Sequence, residues 1–296
     1  MDKQEIMQER EAIRRRLRKE QRQLTVRKFF HNKLAVIGSI ITLSMVTLAL
    51  LAPVLFPEGP LVLSPFDRLC KPGENGFLLG SDNLGRSVLV RLLYGARISL
   101  GIGAGVGLLS MLFGMVLGLY ACYYSRLDNV IMRVCDALSA IPSTLLAIAM
   151  VAMLGGGIGN LILSLTVVSV PRVARVARSS AMVVKEQTYV EAMHSLGASD
   201  SRIIWRHIAP NILSPVVVQS SYIFANAIIT EAALSFLGVG VPQPEPSWGN
   251  ILYDGKAVIH KAWWMIVYPG IATAMTVLGL NIFGDGLRDV LDPHTN

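Results

Sequence analysis

Four long intervals of this chain carry no charge at all. Lys33 to Glu58, Arg97 to Arg126, Arg206 to Glu231 and Lys261 to Asp285 enclose 24, 28, 24 and 23 residues without Asp, Glu, Lys or Arg. A helix needs about 20 apolar residues to cross the hydrocarbon of a bilayer, so each interval is long enough to form a span. A fifth interval, between Asp136 and Arg172, encloses 35 such residues, too many for one helix. It is broken by Gly155-Gly156-Gly157-Ile158-Gly159-Asn160, a turn by composition, and reads as two spans joined by a tight hairpin. The second of these is short unless it continues through Arg172, Arg175 and Arg178, which at i, i+3 spacing lie close to one face and can snorkel to the interface. The expectation is an all-α membrane protein with six transmembrane helices. Composition agrees, since 52% of the 296 residues are hydrophobic and 16% charged, against about 25% charged for an ordinary soluble domain.

Six spans place both termini on one side, and the charge distribution says which. Residues 1–33 hold eleven Lys/Arg and five Asp/Glu, nearly the whole formal excess of +7, and a basic flank marks the cytosolic side. No aromatic residue interleaves those basic residues before Phe29, so the tail reads as a solvated segment near anionic lipid, not as a nucleic-acid site. The segment Pro171 to Asn211, cytosolic in this topology, carries six Lys/Arg, whereas Ala232 to His260, outside, carries only Lys256. The outward segment Glu58 to Arg97 is mixed, and Leu84, Val88 and Leu92 in its second half predict a helix lying at the outer surface. The first apolar run is too long for a leader's apolar region, and Pro53 follows Ala52 where a cleavage site would fall, so it is expected to stay as an anchor.

Chemistry is sparse. The chain has no HExxH, no GxSxG and no Walker-type GxxxxGK[ST], and its five histidines are scattered over both sides. No catalytic site and no metal site is expected. Cys70, Cys122 and Cys135 lack CxxC spacing and imply no disulfide or metal framework. Gly101, Gly103, Gly105 and Gly107, with Gly114 and Gly118 further on, complete no nucleotide-binding register and fit close helix packing instead. The predicted hydrocarbon also lacks the ionisable residues expected of a proton- or ion-coupled carrier.

The polar segment between the fourth and fifth spans is long for a simple connection. Gln187 to Leu196 contains good helix formers, with Val190, Met193 and Leu196 as a stripe, and Gly197 follows where a left-handed residue would close the helix. Asp200 or Ser199 can cap a second helix through Ile204 and Ile208, and Pro210 ends it or opens the next span. The pattern is a helix-turn-helix hairpin on the membrane face, either a plain connector or a docking knob.

Glu191-Ala192-Met193, Gly197 and Pro210 resemble the EAA loop of bacterial ABC importer permeases, at the spacing typical of that family. Met193 replaces the second alanine, His207 stands where the pattern has isoleucine, and Ala209 replaces leucine. Leu79-Gly80-Ser81-Asp82-Asn83-Leu84-Gly85-Arg86 followed by Gly95-Ala96-Arg97-Ile98-Ser99-Leu100 is similar to dipeptide, oligopeptide and nickel permeases. Pro246-Ser247-Trp248-Gly249, Trp263-Trp264, Pro269-Gly270 and Asn281 to Asp289 resemble the second, C-type permease of those systems. By themselves, Gly284 and Gly286 read as the end of the last span and Trp263-Trp264 as an interfacial aromatic belt.

The resemblance implies a type I ABC importer permease in a bacterial cytoplasmic (inner) membrane. It covers roughly residues 30–293 and divides the chain into a basic tail (1–33), a first helix with an outer segment (34–96), a transmembrane domain (97–286) with its coupling loop (171–211), and a C-terminal tail (287–296). The implied partners are a homologous second permease, two ATP-binding subunits that hold ATP and Mg, and an extracytoplasmic substrate-binding protein. This chain itself would hold no cofactor. Glu191, Ala192, Met193, Gly197, Ala198, Ser199, Asp200 and Pro210 would form the ATPase-coupling loop. Asn226, Glu231 and Asn281, polar residues in the last two spans, can line the path or can cap and bridge helices. Peptides are the expected cargo, with nickel or metal chelates as the alternative, and an ion-gradient-driven carrier is the rival from another class.

Overall fold

The computed structural model describes residues 27–291, so most of the basic tail and the residues after Leu291 lie outside the described residues. Among the described residues, a short helical stretch at 27–31 precedes α1 Lys33–Leu55, α2 Val88–Tyr123, α3 Ser125–Ala140, α4 Ser143–Leu154, α5 Ile158–Lys185, α6 Thr188–Ser195, α7 Asp200–Ile203, α8 Ala209–Phe236, α9 Trp248–Lys256 and α10 Trp264–Leu291. A π-turn, Ile204–Ile208, joins α7 to α8.

Among the described residues, five helical stretches are long and apolar enough to cross a membrane, and the sixth expected span takes a different form. The α3–α4 pair is bent by 96°. The cause is local. Pro142 lacks an N–H and forces the residue before it out of the helical region, and Ile141 is extended at φ −91, ψ 133. Its twelve-residue second arm, α4, is too short to cross alone. The glycine hairpin that follows is as expected: Gly155 and Gly157 have φ +85 and +148, and Asn160 Nδ2 donates to the Leu154 carbonyl at 2.8 Å.

Helix α5 does run on through Arg172, Arg175 and Arg178. Two of these arginines pair instead of snorkelling. Arg178 makes a bidentate contact with Asp128 at 2.5 and 2.6 Å, and Arg175 reaches Asp136 at 2.9 Å, which fixes α3 against α5. Glycines set the core spacing. A Cβ on Gly118 would lie 2.6 Å from the Ala174 carbonyl of α5, and one on Gly103 2.6 Å from the Phe224 ring of α8. Gly101, by contrast, faces open space.

The expected surface helix near residue 84 does not form. Residues 81–87 make a turn closed by an isolated Ser81–Ser87 bridge, and the helix begins only after the Ser87 cap. From Val88 it is continuous with the span and is 36 residues long. Its first turns carry a buried charge cluster. Arg91 contacts Asp82 at 2.6 Å and Asp254 at 2.9 Å, while Arg86 contacts the same two carboxylates at 2.7 and 3.2 Å. Two arginines and two aspartates compensate one another, so burial leaves no net charge, and α9 is locked to the start of α2.

Trp264 departs from the aromatic-belt expectation. It is buried and its Nε1 donates to the Ser81 carbonyl at 3.1 Å, whereas Trp263 is exposed. Gly284 and Gly286 also fail to end the last helix, which continues to Leu291. They let neighbours approach instead: a Cβ on Gly284 would meet Ser221 Oγ, and one on Gly286 would meet the Ala35 backbone of α1.

Candidate functional site

The hairpin between α5 and α8 sits at the far end of α2 from the charge cluster. Helix α6 buries Val190 and half-buries Met193 against the main core, as the stripe predicts. Leu196 does not follow them. It is 79% exposed because it caps the helix at the apex of the turn, beyond the reach of the core.

Gly197 closes α6 at φ +74. Its N–H donates to the His194 carbonyl at 3.0 Å, and the Ala198 N–H donates to the Met193 carbonyl at 3.1 Å. Those two bonds form a Schellman motif and satisfy carbonyls that the helix end would leave unpaired. A Cβ at Gly197 would meet nothing within 4 Å, so its requirement for glycine is purely one of backbone conformation.

The second helix starts after Ser199, whose backbone is extended but whose side chain does not cap. Asp200 does not cap either. Its carboxylate accepts Tyr123 Oη at 2.8 Å and Tyr124 Oη at 3.2 Å, which clasps the hairpin to the end of α2. Lys185 adds a second tie: Nζ donates to the Cys122 and Tyr123 carbonyls at 3.1 and 3.4 Å and lies 5.3 Å from the Tyr123 ring centre. A cation at those carbonyls complements the negative end of α2.

Lys185, Tyr123 and Tyr124 are the residues that sequence reasoning missed. The available signals were a tyrosine pair closing an uncharged run and a lone lysine ending α5.

Pro210 opens α8 as its second residue and does not end the hairpin. The helical path from α7 is unbroken because the π-turn intervenes, with the Ala209 N–H donating to the Ile204 carbonyl. Ile203, Ile204 and Ile208 are all fully buried along it. The α7 arm is thus both clasped to α2 through Asp200 and continuous with α8, while Lys185 ties the end of α5 to the same end of α2. Glu191 and Ala192 are exposed, and the Glu191 carboxylate has no hydrogen bond or ion pair among the described residues. Beside it a cleft of about 580 Å³ is lined by Tyr123, Lys185, Glu186, Glu191, His194 and Asp200.

The three path candidates separate. Glu231 is completely buried, accepting Ser99 Oγ at 2.9 Å and Ser235 Oγ at 2.8 Å, so it bridges α2 and α8 and faces no open surface. Asn226 is exposed and Asn281 half-buried.

Residues 110–296 match the family described as the binding-protein-dependent transport system inner membrane component. The chain belongs to this permease family. Residues 20–69 of the permease match the N-terminal transmembrane domain of oligopeptide transport permease C, in line with the C-type resemblance. Relatives include a peptide transport system permease protein of Brucella abortus, 46% identical over 92% of this chain and 91% of that one. Another is the dipeptide transport system permease protein DppC of Alkalihalophilus pseudofirmus, 41% identical over 88% and 86%. The glutathione transport system permease protein GsiD of Pectobacterium atrosepticum is 40% identical over 90% and 89%. Among solved structures, the inward-facing MetNI methionine ABC transporter matches 68% of the permease and 97% of its own chain, with TM-score 0.58 and 18% identity, a likeness of fold. The all-α importer-permease architecture is therefore established for this chain. Permeases of this family are non-catalytic subunits and work with ATPase and other partner components.

Proposed function

We propose that this permease forms half of the translocation path of an ATP-driven importer for di- or oligopeptides or related small solutes, with the α6–α7 hairpin as the element on which an ATPase acts. The carrying observation is mechanical. The hairpin is clasped to α2 through Asp200, with Lys185 tying the end of α5 to α2, and runs unbroken into α8, so a push on it moves two spans together. Its tip meanwhile presents Glu191 and the uncovered Leu196.

The full machine in this reading has a homologous second permease, two ATP-binding subunits that hold ATP and Mg, and an extracytoplasmic binding protein. It lies in the bacterial cytoplasmic membrane, with the hairpin and both termini in the cytosol and with residues 97–286 as the transmembrane domain. Closure of the ATPases drives the spans between inward- and outward-facing states, because binding energy that differs between two states is what couples two sites. Peptide cargo rests on what the relatives are named for. We place the path beside the exposed Asn226 of α8, with Asn281 on α10.

Proteoliposomes holding the permease with its partner subunits decide the matter. Dipeptide uptake that needs ATP and is lost on removing the ATPases supports the reading. Uptake driven by an ion gradient with this chain alone would establish a secondary carrier, and ATP-dependent uptake confined to nickel chelates would replace the peptide assignment.

A further inference from the structure

At the end of the bundle opposite the hairpin, a groove of about 830 Å³ runs between α1, α2 and α8. Val46 and Leu50 of α1, Gly101 of α2 and Phe224 of α8 give it apolar walls. Arg97 and Glu245 are its charged residues. Both side chains are exposed, and neither makes a hydrogen bond or ion pair among the described residues. Arg97 has only the Tyr94 ring, 5.9 Å from its guanidinium carbon.

Two opposite charges on one apolar groove, each unpaired, define the ligand more narrowly than either alone. A simple anion would satisfy Arg97 but be repelled by Glu245, and a simple cation would meet the reverse problem. A zwitterion with an apolar body satisfies both. Helix α1 decides its source. It is the least buried of the long helices, and Leu43, Leu50 and Val54 point outward from it. An apolar outer surface of this length suits acyl chains, and the groove lies along it.

We propose that this groove binds one phospholipid with a primary-ammonium headgroup, its phosphate on Arg97, its ammonium on Glu245 and an acyl chain along Leu50, Gly101 and Phe224. Arginine supplies a charge-assisted hydrogen bond to the phosphate. Because the groove touches both α2 and α8, the lipid would fill the wedge between the two spans that the hairpin moves. The binding site itself does not depend on the proposed transport role or topology.

The test uses the full chain in its assembled transporter, in nanodiscs of equal phosphatidylethanolamine and phosphatidylglycerol, followed by partial delipidation and native mass spectrometry. The wild type should retain one phosphatidylethanolamine in preference to phosphatidylglycerol. Arg97→Gln should lose the retained lipid, and Glu245→Gln should lose the preference between headgroups. Gly101→Phe leaves both charges in place and fills open space, so it should expel the lipid without disturbing assembly. It also keeps the test decisive if Arg97→Gln fails to assemble. Equal retention of both lipids by the wild type would overturn the proposal, as would phosphatidylethanolamine retained unchanged by Gly101→Phe. Displacement of the lipid by alanyl-phenylalanine would do the same and make a peptide the occupant.

Discussion

Replacing Gly197 isolates the geometry of the turn from everything around it. Its φ of +74 lies in the left-handed region, and a new Cβ would touch nothing within 4 Å. The cost of a substitution is then the backbone's own, about 1–2 kcal/mol for an L-residue. The β-branched valine sits at the top of that range, and asparagine, which tolerates this region, below it. A loss of that size changes the ratio of formed to open turn by about 5–30-fold. Opening the turn also releases the two Schellman bonds from Gly197 and Ala198. Amide exchange across residues 188–203 and peptide-stimulated ATPase of the reconstituted transporter should therefore rank wild type, Asn, Ala and Val in that order, with membrane insertion unchanged. Valine and asparagine are similar in size, which makes the pair diagnostic. Equal impairment by both would mean that a docked partner rejects any side chain there, and a fully active Gly197→Val would refute the lever outright.

Three further outcomes follow from the same contacts. Asp200→Ala should speed amide exchange in α6 and α7, and adding Tyr123→Phe should change little more, because hydrogen bonds to a charged group contribute about 1.5–3 kcal/mol and both variants remove the same bond. Arg91→Leu should lower the thermal unfolding temperature in detergent by a cost of about 3–5 kcal/mol, since it leaves two buried aspartates sharing Arg86 alone; an unchanged melting curve would contradict a tightly coupled cluster. Glu231→Gln should preserve both folding and uptake, because an amide can still bond Ser99 and Ser235, whereas Glu231→Ala should cost about 1–3 kcal/mol of stability. A Glu231→Gln variant that folds normally but no longer transports would return that residue to the path.

Much of the architecture is legible in the sequence because hydrocarbon imposes a simple rule. A span must be long and uncharged, so counting between charges locates α1, α2, α8 and α10 without knowing any contact, and the glycine turn marks where α5 starts. The α6 end is equally legible, since a glycine after a short amphipathic helix has one inexpensive conformation. What interval counting misses is the break at Pro142. Counting treats the residues on either side of it as one run, while the proline divides them into arms bent by 96°.

The roles of the polar residues were decided only by the fold. Asp200 reads locally as a helix cap, yet α2 brings two tyrosines to it and it becomes a clasp. Glu231 and Asn226 are five positions apart on one helix and look alike as candidates. The packing of α2 buries the first between two serines, while the second stays on the open face. Arg86 and Arg91 read as part of a mixed outer segment until Asp254, more than 160 residues away, closes the ring around them. Sequence alone determined which stretches are long and apolar enough to span a bilayer, because transfer into hydrocarbon depends on each residue's own composition. Which polar side chains hold the bundle, and which stay free for a partner, depends on what the chain brings within about 3 Å, and only the tertiary structure decides that.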